Sequence, residues 1–364
     1  MLQNEGEHPV NQDQEFDFES HADAAVSAYL AAQDYYSKSS AVVASIIEEC
    51  LKAKNIGVHS VQHRSKDPKS LKRKASHRSE TNPSLPKYKD PLKEITDLSA
   101  VRIIAHFPAT IVEIDRLIRG EFDVVEHSDK GAELRQGEKF GYQSVHYLVK
   151  MKAERSALAE YKRFSQSITE IQVRTILQHA WAEIEHDIQY KSKSAIPSEV
   201  RRRFMALAGM LEMADREFQA IQDTDRAINE KAQSDVKKGD LDEVEITANS
   251  LKAFLDKKIG PDGRIADFNY EWTAEMVRLL GFSTLKQVDE AISPFDDNKL
   301  SNIATGTRQG QTTRFEMMLL AALGQNFIDR HKWKNEPWFT DNQKKYLKSF
   351  TQEGVKTGSF SISP

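Results

Sequence analysis

Polar and charged side chains recur at regular spacing in residues 167–191 of the chain. The first part of this segment alternates polar side chains with apolar ones, which is the period of a β-strand. Its polar positions are Glu170, Gln172 and Arg174. A carboxylate, an amide and a guanidinium on one strand face can take up a proton, hold a cation or bind phosphate. The pattern therefore points to chemistry at this strand.

From Thr175 onward the segment changes to the period of a helix. One stripe is apolar and consists of Leu177, Trp181, Ile184 and Ile188. The opposite stripe is His179, Glu183, His186 and Tyr190. We predict that the apolar stripe packs into the core, while the polar stripe and the strand line a pocket together. The alternative, a helix whose charges are simply solvated, is weakened because six such groups converge.

A basic segment, HRSKDPKSLKRK, has a spacing suited to phosphate. Arg64, Lys66, Ser70 and Lys74 lie at offsets of two, six and ten. Basic side chains spaced in this way can clamp several phosphate oxygens at once. By itself the segment is a weak signal.

Two further pieces have matching chemistry. Asp97 precedes a predicted strand that contains Arg102, and a carboxylate at a strand edge commonly holds Mg²⁺ beside phosphates. In FGYQSVHY, Tyr142 follows a glycine and can stack on a nucleobase, with Ser144 and His146 on one strand face. Glu170, on the strand described first, then supplies a second metal ligand or a base.

Composition sets the class of protein. The chain has 364 residues, of which 39% are hydrophobic and 29% charged, as in a globular protein with room for two domains. We find no apolar run long enough to cross a membrane and no signal peptide, and we expect a cytoplasmic protein without a membrane partner. Cys50 is the single cysteine, which excludes an intramolecular disulfide and a multi-cysteine zinc site.

Charge is distributed unevenly along the chain. No Lys or Arg precedes Lys38, although acidic residues are frequent there. Between Lys52 and Lys93, twelve basic residues face three acidic ones, an excess of nine positive charges. This excess predicts a polyanionic ligand, either a nucleoside triphosphate or RNA.

The periodicity predicts an α+β fold, a mixed β-sheet flanked by helices and followed by a small, mainly helical domain. Strand candidates are Val101–Phe107, Phe122–Glu126, Val145–Met151 and Ile168–Val173. Helices are predicted over 20–56 and 200–230 and near 111–119, 156–164 and 175–190. The first helix is expected to end at a left-handed cap on Gly57 and to be followed by a basic helix or loop.

These pieces resemble the synthetase domain of the RelA/SpoT family, the enzymes that make the alarmones ppGpp and pppGpp. The matching motifs, in the family's order and spacing, are RSK followed by SLKRK, then ITDLSAVRII, FGYQSVH and EIQVRTILQHAWAEIEHDIQYK. The resemblance covers about residues 40–218 and does not extend to the C-terminal third.

The resemblance implies transfer of pyrophosphate from ATP to the 3′ hydroxyl of GDP or GTP, with Mg²⁺ as cofactor and AMP as the other product. It assigns catalysis and the metal to Asp97 and Glu170. It assigns ATP binding to Arg64, Lys66, Ser70, Lys74 and Arg78. It assigns acceptor binding to Arg102, Tyr142, Ser144, His146, Gln172 and Arg174. His179, Glu183 and His186 would hold the helix against the strand.

The acceptor stays open, because the departures from the family pattern fall where substrates are read. His77 stands where many small synthetases have an arginine, and Gln143 replaces a frequent arginine. The alternatives to a guanosine nucleotide are the 3′ CCA end of tRNA, as in toxic family members, and an adenosine nucleotide. A catalytically inactive binding module is a third alternative. The carboxylates at 97 and 170 and the tyrosine at 142 argue against it.

With the resemblance, the predicted organisation is a disordered acidic tail over 1–22 and a synthetase domain with flanking helices over 23–231. A linker over 232–245, a helical domain over 246–350 and a flexible tail over 351–364 follow. The helical domain is expected to be regulatory, binding a protein regulator, or to serve self-association. Its aromatics, Trp272, Phe282, Trp333, Trp338 and Phe339, are predicted to be core. No HD metal motif precedes the synthetase domain, so we expect no hydrolase activity. A di-iron site on the E-x-x-H spacing of Glu183 to His186 is disfavoured.

Overall fold

The computed structural model describes residues 16–129, 144–191, 197–262 and 267–362. The chain divides into two units, Met1–Ala220 and Ile221–Pro364. None of the helices in the described ranges is long and apolar enough to cross a membrane.

The first unit is built on a mixed sheet of five strands in the order β1-β2-β5-β4-β3. The strands are β1 (Val58–Ser65), β2 (Ser99–Ala105), β3 (Phe122–Asp129), β4 (Val145–Met151) and β5 (Thr169–Thr175). β2 and β5 are parallel, and the other neighbouring pairs are antiparallel. The predicted fold class and the four predicted strands are confirmed, with bounds that agree within three residues.

Helices flank this sheet. They are α1 (Phe18–Ala53), α2 (Pro68–Ala75), α3 (Pro91–Glu94), α4 (Pro108–Glu121), α5 (Ala153–Ser156), α6 (Ile176–Lys191) and α7 (Ser198–Lys238). Short 3-10 turns cover Thr96–Leu98 and Lys162–Phe164. The helix predicted over 156–164 is wrong, since only α5 and the second of these turns are helical there.

One face of the sheet is apolar and is buried beneath α1 and α4. Val101, Ile103, Ile171 and Val173 are each at most 1% exposed and belong to one cluster with side chains of these two helices. Burying an aliphatic side chain of this size stabilises a fold by about 1.5–3 kcal/mol. Because strand side chains alternate, the opposite face carries the polar residues between them.

The end of α1 differs from the prediction. The left-handed residue is Asn55, with φ +54°, and Gly57 does not have a positive φ. The Ile56 N–H donates to the Leu51 carbonyl at 2.9 Å, the bond that closes a Schellman motif around Asn55. Asparagine tolerates this backbone conformation better than most residues, which explains why the glycine is not needed.

Strand β1 was not predicted. The sequence pattern indicated a basic helix or loop after Gly57, whereas Val58–Ser65 pairs with β2. β1 lies at the edge of the sheet and contains only two apolar residues, Val58 and Val61. An edge strand that is mostly exposed does not need alternating apolar and polar residues, so its sequence lacks the period of two by which a strand is recognised.

The predicted acidic tail over 1–22 is wrong for its last residues, since α1 begins at Phe18. Asp17 is the N-cap, and its carboxylate accepts hydrogen bonds from the backbone of Glu19 and Ser20 at 3.1 and 3.0 Å. The capping role of Asp17 was overlooked because acidic residues are frequent throughout this part of the sequence. Residues 1–15 lie outside the described part of the chain.

The predicted linker over 232–245 is wrong for 232–238, which continue α7 to Lys238. This stretch is polar but contains neither Gly nor Pro, so nothing in it breaks a helix. Gly239, with φ +90°, ends the helix. The boundary between the two units falls earlier, within α7.

The second unit is helical. Besides the end of α7 it contains α8 (Ala248–Ile259), α9 (Asp267–Leu279), α10 (Leu285–Ile292), α11 (Asp297–Thr305), α12 (Gln311–Leu323), α13 (Gln325–Arg330) and α14 (Pro337–Gln352). The helix α12 contributes much of its core. Of the aromatics predicted to be core, Phe282 and Phe339 are buried, whereas Trp338 is 60% exposed.

The predicted flexible tail over 351–364 is wrong up to residue 362. After α14 ends, the Gly358 and Phe360 N–H groups donate to the carbonyls of Ala321 and Ala322 at 2.9 and 3.0 Å. These carbonyls belong to the last turn of α12 and have no partner within the helix. The tail therefore caps α12, and Gly358 approaches the backbone of Gly324 closely.

We predict that Gly324→Ala destabilises the second unit by about 2 kcal/mol or more. Gly324 has φ +58° and ψ −128°, and a Cβ there would lie 3.0 Å from the Gly358 Cα. Gly306→Ala is the matched control, since Gly306 also has positive φ but open space around it. It is expected to cost about 1 kcal/mol. Urea unfolding measures both, and equal losses would contradict a role for the tail contact.

Candidate functional site

The polar face of the sheet collects the strand side chains that the sequence singles out. The register places Arg102, Gln172 and His146 side by side on β2, β5 and β4. Glu170 lies two residues before Gln172 on β5, opposite Ala100 of β2. Residues that are distant in sequence are thus neighbours on one surface.

A chain of hydrogen bonds links five of these side chains. The Ser144 Oγ lies 2.8 Å from Nε2 of His146, and Nδ1 of the same imidazole lies 2.9 Å from Oε1 of Glu170. Gln172 Nε2 donates to Oε2 of Glu170 at 2.9 Å, and Arg174 Nη2 donates to the side-chain Oε1 of Gln172 at 2.7 Å. Both carboxylate oxygens of Glu170 are therefore held in fixed positions.

These bonds keep Glu170 ionised. Burial alone would raise the pKa of its carboxyl, but the hydrogen bonds from His146 and Gln172 and the charge of His146 together lower it below its ordinary value. Burial, with the nearby charge of Arg102, lowers the pKa of Arg174 to about 10. Arg174 is only 6% exposed, and its Nε has no hydrogen-bond partner among the described residues. It remains a buried donor on this surface.

Asp97 lies in the 3-10 turn that leads into β2, and two lysines hold it. Lys66 forms an ion pair with Oδ2, and Lys74 Nζ lies 3.1 Å from Oδ1. Burial raises the pKa of Asp97, but the hydrogen bond and charge of Lys66, together with Lys74, lower it overall. The negative charge of Asp97 partly opposes the lowering of the Glu170 pKa, so the two carboxylates interact electrostatically.

Backbone contacts fix Lys66 in place at the end of β1. Its N–H donates to the Leu98 carbonyl at 3.1 Å, and its carbonyl accepts from the hydroxyl of Tyr29 at 2.7 Å. Tyr29 is fully buried and stacks on Tyr36 of the same helix, α1. The first helix thus anchors a residue of the site.

A basic cavity of about 290 Å³ opens beside the Asp97 lysines. Its lining residues are Arg64, Lys66, Asp67, Ser70, Arg73, Lys74, His77 and His186. Four of the eight are permanent cations, and they come from β1 and α2. The Asp67 carboxylate is used locally, since it accepts from the Ser70 N–H at 2.8 Å and caps α2.

A smaller pocket of about 100 Å³, the arginine pocket, adjoins it. Its lining residues are Gln62, His63, Arg64, Ala100, Val101, Arg102 and Gln172. Arg64 lines both spaces, so the basic cavity and the arginine pocket meet at its side chain.

The other predicted site residues differ in outcome: Arg78 lies away from the cavity, Tyr142 is outside the described residues, and Glu183 holds α6 against β2 as predicted. The structure does not bring Arg78 to the basic cavity, because it donates to the Pro83 carbonyl and lies over the Phe18 ring at 4.3 Å. Glu183 binds Arg102 at 2.9 Å and joins α6 to β2, while Nδ1 of His179 lies 3.7 Å from the same carboxylate oxygen.

The apolar stripe of α6 is only partly core. Trp181 is 6% exposed and packs with Ala208 of α7, but Ile184 is 55% exposed, which contradicts the prediction for that position. The helix therefore buries a narrower stripe than its sequence permits. His186 of the polar stripe lines the basic cavity.

The sequence interpretation missed several residues of the site. Gln62 and His63 were overlooked because β1 was not recognised as a strand. Arg73 and His77 follow Ser70 by three and seven residues, a helical spacing that could have revealed them. No third ligand joins Asp97 and Glu170, because in the ranges covered by the structure no group of three His, Cys, Asp or Glu side chains is placed to hold a metal.

Threonine 175 connects the site to α7. Its hydroxyl accepts from the Gln178 N–H at 3.1 Å, and the Gln178 side chain accepts from the Thr175 N–H at 2.9 Å, so the pair forms a capping box for α6. The same hydroxyl donates to the carboxylate of Asp215 at 2.7 Å. Thr175 is fully buried and Asp215 is 5% exposed. The end of β5 is therefore fixed from two sides.

The fold and the site together define an α+β domain that presents two ionised carboxylates beside a cation-lined cavity. Residues 63–195 match the family described as "Region found in RelA / SpoT proteins". The resemblance predicted from the motifs is therefore confirmed for these residues.

Two curated relatives come from Bacillus subtilis (strain 168). GTP pyrophosphokinase YjbM is 30% identical over 136 residues, which are 36% of this chain and 61% of that protein. GTP pyrophosphokinase YwaC is 27% identical over 135 residues, 36% of this chain and 60% of that protein. The chain thus spans less than two thirds of the length of these relatives.

Solved structures also show similarity. Small alarmone synthetase 1 from Bacillus subtilis, bound to its product pppGpp, has 24% identity and a TM-score of 0.41, and the match covers 52% of this chain and 93% of that one. A GTP pyrophosphokinase family protein from Streptococcus pneumoniae has 19% identity and a TM-score of 0.41, covering 52% and 91%.

We predict that Thr175→Val lowers the free energy of unfolding of the first unit by about 3 kcal/mol, because it removes a helix cap and a hydrogen bond to a carboxylate. Thr81→Val is the control, since Thr81 is exposed and its hydroxyl contacts only Ser79 at 3.1 Å. That variant is expected to stay within about 0.5 kcal/mol of the wild type. Chemical unfolding decides, and a Thr175 variant as stable as the control would contradict the assignment.

Proposed function

We propose that the protein transfers pyrophosphate from ATP to the 3′ hydroxyl of a guanosine nucleotide, GDP or GTP, and releases AMP. The observation that carries the proposal is the pair of ionised carboxylates, Asp97 and Glu170, next to a cavity lined by four permanent cations. Phosphoryl-type transfer needs little beyond positioning and neutralisation of charge on phosphate oxygens. Cations and carboxylates at this site meet that need.

The basic cavity is assigned to the phosphates of ATP. Lys66 and Lys74 pair with Asp97, so a polyphosphate would compete with this carboxylate for both ammonium groups. Arg73 adds a guanidinium that can form two parallel hydrogen bonds to phosphate oxygens. Release of Asp97 from its lysines would accompany binding of the donor.

The arginine pocket suits the base of the donor, and this proposal moves Arg102 and Gln172 from the acceptor role that the resemblance implies. Arg64 and Arg102 both line it, and planar guanidinium groups stack on aromatic rings. Because Arg64 also lines the basic cavity, a base in this pocket and its phosphates in the cavity belong to one nucleotide. The amide of Gln172 supplies a hydrogen-bonding group at the pocket wall.

Asp97 and Glu170 fit a Mg²⁺ ion. Both are ionised, they are close enough for the charge of one to act on the other, and carboxylate oxygens are the ligands that this ion prefers. When bound, the ion supplies neutralisation of charge between the phosphates. The chain's own part is to orient Glu170 through His146 and Gln172, so that one carboxylate oxygen can accept the proton of the acceptor hydroxyl.

The acceptor is assigned on two grounds. Arg174 offers a buried N–H donor without a partner among the described residues, on the same face as Glu170, which suits an acceptor phosphate. The guanosine assignment rests on the relatives, since both curated proteins are GTP pyrophosphokinases, at 30% and 27% identity.

The basic run offers less support for RNA than its count of charges indicates. Of its twelve basic residues, at least five form ion pairs with the chain's own carboxylates: Lys66, Lys72, Lys74, Lys87 and Lys93. Lys72, for example, lies 2.6 Å from Asp23 and 3.5 Å from Glu19 of α1. Internal pairing reduces the positive field available to a polyanion outside the cavity.

We predict that label from ATP carrying β- and γ-³²P appears in a guanosine product when GDP or GTP is the acceptor. Parallel reactions with ATP alone and with bulk tRNA test the adenosine and tRNA alternatives. Label found only in tRNA or an adenosine product would overturn the guanosine assignment. No transfer to any of them would overturn the proposed enzyme.

The carboxylates provide the matched test of the same reaction. Asp97→Asn and Glu170→Gln keep the size of each side chain and remove its charge, and each is expected to lower transfer by at least about a hundredfold. Glu126→Gln is the control, because Glu126 lies exposed on β3, two strands from Glu170 on the same row of the sheet. Circular dichroism checks that all three variants are folded.

Arg73 and Arg78 provide a matched test of which arginine binds the donor, since only Arg73 lines the basic cavity. We predict that Arg73→Gln raises the KM for ATP by about tenfold, because it removes a charged hydrogen bond to phosphate. Arg78→Gln is expected to change it less than twofold, since Arg78 is committed to Pro83 and Phe18. Steady-state kinetics measure both, and a larger effect for Arg78 would show that the donor lies outside the cavity assigned to it.

A further inference from the structure

Two imidazoles line the basic cavity from opposite elements. His77 follows α2, and His186 lies on α6. The backbone of His77 is held on both sides, since its N–H donates to the Lys74 carbonyl at 3.2 Å and its carbonyl accepts from the Lys87 N–H at 2.8 Å. Both side chains are exposed to the space that the cavity encloses.

The charged groups around these imidazoles are four cations and four acidic side chains. Arg64 comes from β1, Lys66 follows that strand directly, and Arg73 and Lys74 come from α2. The acidic neighbours are Asp67 at the start of α2 and Glu183, Glu185 and Asp187 on α6. Asp67 caps its own helix, and Glu183 pairs with Arg102.

Lysine and arginine keep their charge throughout the physiological range, so the four cations give the cavity a constant attraction for anions. Histidine is the side chain whose ordinary change of charge falls between pH 5 and 8. A bound anion favours the protonated imidazole, and by linkage a protonated imidazole favours the bound anion. The cavity thus combines four side chains whose charge is constant with two histidines whose charge depends on pH.

We propose that protonation of His77 and His186 tightens the binding of polyphosphate in the basic cavity, so that affinity for the donor falls as pH rises. The inference deepens the proposed function and rests on the assignment of this cavity to the phosphates of ATP. A permanent cation at position 77 would remove half of the response. Histidines here make occupancy of the donor site depend on proton concentration.

The test is calorimetric binding to the full chain at pH 6 and pH 8, with inorganic triphosphate and with a nonhydrolysable ATP analogue plus Mg²⁺. Wild-type protein is expected to bind each ligand about fivefold more tightly at pH 6, on the scale of two partly exposed charge interactions. The double variant His77→Gln, His186→Gln is expected to lose this ratio. His77→Arg is expected to bind tightly at both pH values and to retain only the part due to His186.

The ligand's own titration is common to all variants, so the difference between them isolates the histidines. His127→Gln is the matched control, because His127 lies on β3 against Tyr147 and away from the cavity. It is expected to keep the wild-type ratio. A double variant that also keeps the wild-type ratio, or a wild type without one, overturns the inference.

Failure of the inference and failure of the proposed function are distinguishable. Transfer of label with binding that does not respond to the histidines overturns the inference alone. Binding that responds to them without any transfer of label supports the inference and overturns the proposed reaction. Absence of binding for both ligands overturns the assignment of the cavity and the inference with it.

Discussion

The site depends on one pairing, the parallel alignment of β2 with β5. This register sets Ala100 against Glu170 and Arg102 against Gln172, and thereby joins segments about seventy residues apart in the chain. A slip of one residue would turn Glu170 and Gln172 into the core and Ile171 and Val173 out of it. Burial of these aliphatic side chains beneath α1 and α4 therefore fixes the polar face as firmly as the apolar one.

Charge at the site is balanced locally. Ionised carboxylates in a partly buried place need partners, because desolvation penalises the charged form. Lysines satisfy Asp97, whereas an imidazole and an amide satisfy Glu170. The two sets of partners differ in kind: the lysines can exchange one anion for another, while the imidazole and the amide hold a carboxylate in position. Under the proposed function, the exchangeable side belongs to the donor phosphates and the rigid side to the acceptor.

The sequence pattern predicted the elements whose buried residues recur at a regular spacing, and it missed the elements that lack such a spacing. Strands β2 to β5 were found because their core positions are apolar in alternation, and the same alternation placed Glu170, Gln172 and Arg174 on one face. β1 was missed because an edge strand with only Val58 and Val61 as apolar residues has no such signature. Arg73 and Arg78 look alike in sequence, and only the Phe18 ring and the Pro83 carbonyl show which one leaves the cavity. Polar composition likewise hid that 232–238 are helical.

The position of β1 at the edge of the sheet has a consequence for motion. Among the described strands β1 pairs only with β2, so its outer backbone groups have no strand beside them. Local opening costs least where an element has few neighbours. Arg64 belongs to this strand and Lys66 follows it directly, whereas Glu170 and Gln172 lie on β5, which is paired on both sides. Amide hydrogens of β1 should therefore exchange with solvent sooner than those of β5. The cationic segment of Arg64 and Lys66, which the proposed function assigns to phosphate, therefore lies on the part of the sheet that opens most easily, whereas Glu170 lies on a strand that is paired on both sides.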